Sequence, residues 1–86
     1  SGNVNDLNDA GDVVGSIWAF YLGRELGFIN QSLLDNLLIP DDSSWKITDA
    51  RLINNAGQII AVGTKDFVTY RTLKLIPVSV PVSATQ

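Results

Sequence analysis

The sequence predicts a mainly β fold of two hairpin or meander units, arranged like propeller blades or as a small sandwich, with one short helix around residues 31–39. Three observations lead there: a segment that recurs further along the chain, runs of β-branched residues beside Gly-containing turns, and a single leucine-rich break in that pattern.

Leu7-Asn8-Asp9-Ala10-Gly11-Asp12-Val13-Val14-Gly15 aligns position by position with Ile53-Asn54-Asn55-Ala56-Gly57-Gln58-Ile59-Ile60-Ala61, a shift of 53 − 7 = 46. In each copy an apolar residue enters a short polar turn, and a β-branched run leaves it, as a tight hairpin requires. Asn8, Gly11, Asn54 and Gly57 are therefore turn residues, with each glycine placed where a Cβ would be strained. A further strand is expected after each hairpin, Ile17–Leu22 in the first copy and Val68–Ile76 in the second. Gly63-Thr64-Lys65-Asp66 supplies the turn into the latter, whereas only Gly15 to Trp18 is left to make the bend in the first copy. Leu26–Ile29 reads as a fourth strand.

Residues 30–40 break the β pattern. Leu33, Leu34, Leu37 and Leu38 fall at helical spacing, Asn30 or Ser32 can cap the start, and Pro40 ends the run. A helix of two turns depends on packing over a sheet. The organisation expected is one domain over 1–77, with repeats at 4–29 and 50–77 and a helix and loop connector at 30–49. Residues 78–86, with Pro81 and no charge, read as a tail or linker.

Composition narrows the function. The 86 residues carry 6 basic and 9 acidic side chains, a net charge of −3, without any basic cluster, so neither nucleic acid nor an anionic membrane is an expected partner. Apolar runs fall short of the roughly 20 residues that a spanning helix needs. Cysteine and histidine are absent, which removes the usual zinc and copper ligands and the commonest catalytic base, and no cofactor is expected. The low charge and 45% apolar content point to self-association or to neighbouring repeats. The opening Ser1-Gly2, in place of Met, reads as a processed or excised segment.

The repeated Asn-x-x-Gly-x-Val/Ile-Val/Ile turn, with Trp18-Ala19-Phe20 after the first copy, resembles the HAF family of bacterial extracellular repeats. That family carries an Ile-Asn-Asp-x-Gly-Gln-Ile-Val-Gly hairpin followed by a His-Ala-Phe strand. Asp12 departs from its Gln, Ala61 from its Gly, and Arg71-Thr72-Leu73 from its tripeptide. The resemblance implies a secreted or cell-surface bacterial protein without enzymatic chemistry, whose repeats form propeller-like blades.

Three sets of side chains bear on chemistry. Asp6, Asp9 and Asp12 partly match a calcium loop, but Ala10 and Ile17 occupy ligand positions, so no metal is expected. Asp41 and Asp42, or Asp9 and Asp12, are carboxylate pairs, yet adjacent aspartates in a Ser-rich loop read as solvated, and no enzyme is expected. Trp18, Phe20, Tyr21, Trp45 and Tyr70 are the aromatic set. Trp18, Phe20 and Trp45 are expected to fill the core beneath the leucine helix. The function expected is a non-catalytic structural or protein-interaction module. The alternative is a carbohydrate-binding module in which Trp18, Trp45 and Tyr70 stack on a polysaccharide.

Overall fold

The computed structural model describes residues 2–78 and is mainly β. Strands β1 (Gly2–Leu7), β2 (Val13–Ala19), β3 (Arg24–Ile29) and β4 (Ser32–Leu33) form one antiparallel sheet in that order. Strands β5 (Lys46–Ile53), β6 (Ile59–Thr64) and β7 (Tyr70–Leu75) form a second, three-stranded meander. The expected tail over 78–86 lies, beyond Val78, outside the described residues.

The repeat reaches much further than the turn motif. β1 and β5 end 53 − 7 = 46 residues apart, β2 and β6 begin 59 − 13 = 46 apart, and β3 and β7 begin 70 − 24 = 46 apart. Even the bulge recurs, at Asn5 between Val4 and Asp6 and at Arg51 between Ala50 and Leu52. A second bulge, at Thr48 between Ile47 and Asp49, has no counterpart in the first repeat, and the third strand is out of step. Gly15 opposes Phe28, but Ala61 opposes Leu73 rather than residue 28 + 46 = 74. The cause is loop length: residues 20–23 join β2 to β3, and the longer 65–69 joins β6 to β7. Because side chains alternate, that one-residue slip selects which face of β7 turns inward. Leu73 and Leu75 pack on the core while Thr72 and Lys74 stay exposed.

The two sheets stack face to face. Val14 and Ile29 of the first meet Ile47, Ala50, Ile53, Ile59 and Ala61 of the second, with Leu34, Leu38 and Trp45 closing one side. Gly27 permits the approach, since a Cβ there would lie 2.8 Å from Ile47 Cγ2 and 3.4 Å from the Ala50 nitrogen. A core of so few residues rests on this close contact.

Two expectations are corrected. Ile17–Ala19 does not begin a new strand after a bend at Gly15; it continues β2, and the chain reverses at Phe20–Gly23, where Gly23 has φ +65° and its N–H donates to the Ala19 carbonyl at 2.8 Å. The leucine segment holds no two-turn α-helix. Ser32–Leu33 pairs with Phe28–Ile29, and Ile39 must be extended before Pro40. The residues left between them form a single 3-10 turn, Leu34–Asn36, and Pro40 opens a second one, Pro40–Asp42. Asn30 is not a helix cap: at φ +53° it makes the turn between β3 and β4.

Gly27→Ala is expected to lower stability by about 1–3 kcal/mol through overpacking against Ile47, read from urea unfolding.

Candidate functional site

The two equivalent turns are built alike. In the first, the Asn8 N–H donates to the Asp12 carbonyl at 3.1 Å, and Asn8 Oδ1 accepts from the Asp12 N–H at 2.9 Å. In the second, Asn54 makes the same pair with Gln58 at 3.1 and 2.9 Å. Gly11 and Gly57 have φ of +85° and +79°. Asn8, Gly11, Asn54 and Gly57 thus shape the backbone of the two turns.

The turns also hold each other. Asn8 is buried, and its Nδ2 donates to the Asn54 carbonyl at 3.0 Å. The Asp9 N–H donates to Asn55 Oδ1, and Asn55 Nδ2 donates to Asp9 Oδ2, both at 2.9 Å. Further along, Asn5 donates from its bulge to Asp49 Oδ1 at 2.7 Å and to the Ala50 carbonyl at 2.8 Å, and Asp6 Oδ2 accepts from the Ile53 N–H at 2.9 Å. One repeat therefore grips the next along a whole edge, and both turns lie at the same end of the stacked sheets.

Asp12 is taken up by this frame. Its carboxylate accepts from Asn30 Nδ2 and Asn8 Nδ2, both at 3.1 Å, and the Asn30 amide foremost holds its pKa below the usual range. Among the described residues, no group of three His, Cys, Asp or Glu side chains could hold a metal ion.

The opposite end carries the aromatic residues. The turns 20–23 and 65–69 sit side by side there, with the Arg24 guanidinium 5.3 Å from the Phe67 ring centroid. Arg24 also pairs with Asp35 at 3.0 Å, whose other oxygen accepts from the Ile47 N–H at 2.6 Å. Phe20, Tyr21 and Val68 are 87%, 82% and 81% exposed. Phe20 and Trp18 therefore do not fill the core as expected. The reversal at Phe20–Gly23 projects Phe20 into solvent, and Trp18 is exposed near the end of β2. Trp45 does pack on the core, beneath the Lys65 ammonium at 5.0 Å. Tyr70 is exposed and opposes Thr64. Val68, expected to open the last strand, belongs instead to the turn, because the Asp66 carboxylate draws the Val68 and Thr69 N–H groups back and β7 starts only at Tyr70; Phe67 was not singled out, since a Gly-Thr-Lys-Asp stretch gives no sign of the residues its turn will lift out.

This end is ordered from below. The buried Thr64 hydroxyl donates to the Thr69 carbonyl at 2.7 Å and accepts from the Phe67 N–H at 2.9 Å. Asp66 Oδ1 accepts from the Thr69 and Val68 N–H groups at 2.8 and 2.9 Å, which holds its pKa below the usual range. Phe67 is kept at φ +59°, a conformation that bulky residues rarely adopt.

A shallow apolar groove of about 500 Å3 lies elsewhere, between Leu34, Leu37, Leu38, Leu75 and Val78. No described helix is long and apolar enough to cross a membrane. Fold and geometry define a two-sheet β module made of stacked repeats. Compared with protein-family models, curated proteins and solved structures, the chain finds no significant match.

Two outcomes are expected. Asn8→Ala leaves the Asp12 N–H unpaired and removes the bond between the repeats at the Asn54 carbonyl, which keeps the Gly57 N–H; it costs about 1–3 kcal/mol in chemical unfolding, more than Asn54→Ala, whose side chain serves only its own turn. For Asp66 a folded pKa below the unfolded one means the turn is supported above the ordinary carboxylate pKa and released as pH falls through the lowered one. The Val68 and Thr69 amide resonances should shift, and their exchange quicken, in that acidic window.

Proposed function

We propose that this chain is a non-catalytic structural or interaction module of a secreted or surface-attached bacterial protein, working through its surface and its sheet faces. The observation that carries this reading is the aromatic end. Phe20, Tyr21 and Val68 stand in solvent on two turns instead of adding to a small core. They stand on turns that Thr64, Asp66 and the Arg24–Phe67 contact hold in place, so little ordering entropy is lost when a partner covers them. The extracellular setting is supported by the two HAF-like turns.

A second reading, polysaccharide binding, is favoured by Trp18 and Tyr70, whose rings are exposed on strands and so offer stacking surfaces. Trp45 suits that role less, being packed on the core.

Polysaccharide pull-down and glycan arrays on wild type, Trp18→Ala, Trp45→Ala and Tyr70→Ala separate the two. No retention is expected, and no turnover of model glycosides. Retention that disappears in an exposed-ring variant of unchanged circular dichroism would replace the first reading by the second.

A further inference from the structure

The packing between the two repeats is head-to-tail. The face of the first sheet that turns inward carries Val14 and Ser16, whose equivalents in the second repeat, Ile60 and Val62 (14 + 46 and 16 + 46), lie on the outer face. The inward face of the second sheet carries Ile53, Ile59 and Ala61, whose equivalents Leu7, Val13 and Gly15 lie on the outer face of the first. Two unlike faces meet, and one of each is left over. An interface of this kind does not close on itself at two units.

We propose that a second copy of this chain docks on the outer face of the second repeat through its own first repeat, continuing the internal interface in the same register. This goes beyond the functional reading, which rests on the aromatic end, and uses the two outer sheet faces instead.

Displacing each internal contact by one repeat shows what the new interface holds. Asn8 Nδ2 on the Asn54 carbonyl becomes Asn54 Nδ2 on the incoming Asn8 carbonyl. The Asp9 N–H on Asn55 becomes the Asn55 N–H on the incoming Asp9 carboxylate. Asn5, donating from its bulge to Asp49 and the Ala50 carbonyl, is replaced by Arg51 at the same bulge, donating to Asn3 and the Val4 carbonyl (49 − 46 = 3 and 50 − 46 = 4). Asp6, accepting from the Ile53 N–H, is replaced by Leu52, which meets Leu7 with an apolar side chain and offers its N–H no acceptor (6 + 46 = 52 and 53 − 46 = 7).

Three polar contacts thus keep a donor opposite an acceptor, and the fourth exchanges a hydrogen bond for an apolar contact at the cost of an unpaired Leu7 N–H. Leu52 and Leu7 are 56% and 61% exposed. Burying two leucines against each other gives the contact a hydrophobic anchor. Thr72 stands where Gly27 stood, so the added pair is spaced wider than the internal one and binds less tightly than a fused repeat.

The absence of cysteine makes the register directly testable. Leu7→Cys and Leu52→Cys chains are prepared separately, checked for wild-type circular dichroism, mixed and oxidised. The mixed Leu7–Leu52 disulfide is expected to exceed either homodimer about tenfold. Equal yields of the three products, or a dominant Leu52 homodimer, would overturn the proposal. In the cysteine-free chain, the mass read by light scattering is expected to rise with concentration, and Leu52→Lys is expected to abolish that rise. A wild type that stays monomeric at millimolar concentration would overturn it too. The functional reading stands or falls on the aromatic end instead, since Phe20, Tyr21 and Val68 lie in neither docking face.

Discussion

The side chain of Asn8 is the point on which the two halves of the molecule turn. It closes its own turn through Oδ1, and with Nδ2 it reaches both Asp12 and the carbonyl of Asn54. A buried amide in this position must satisfy every polar atom or be costly, and this one does. Its effect is to register one repeat on the other. Once Asn8 sits on Asn54 and Asp9 on Asn55, the strands behind them run side by side, and Gly27 is brought over Ile47. The small apolar core then follows from geometry already set at the edge.

The same arrangement accounts for the contrast between the ends. Where the equivalent turns meet, hydrogen bonds are matched and the residues are Asn, Asp and Gly. At the other end the turns differ in length, 20–23 against 65–69, so they cannot copy one another's bonds. The contact there is made by Arg24 on Phe67, and the remaining apolar side chains are left for something else to cover.

Much of the fold was legible because the turn residues announce backbone geometry: Asn8, Gly11, Asn54 and Gly57 can be read as bends with no knowledge of neighbours. The leucine spacing at 33, 34, 37 and 38 misled because the period of a helix was present while the length was not. Ser32–Leu33 was claimed by β3 and Ile39 by the proline after it. Gly15 misled in the opposite sense, as a small residue inside a continuous strand. The aromatic end was half legible. Trp18, Tyr21 and Tyr70 were visible as aromatic, but whether a ring is buried depends on where the chain reverses, and the reversal at Phe20–Gly23 was fixed by Gly23 rather than by any feature of Phe20. The grip of Asn5, Asp6 and Asn8 on β5 could not be read at all, since it joins residues 44 to 47 positions apart whose pairing exists only once both repeats are folded.

Nuclear Overhauser contacts between the two repeats test the stacking most directly. Protons of the Asp9 turn are expected to meet the side-chain amide of Asn55, and the Asn8 amide to meet residue 54. Contacts from the Asp9 turn to residues 65–69 would show the repeats stacked in opposite directions and contradict the whole arrangement.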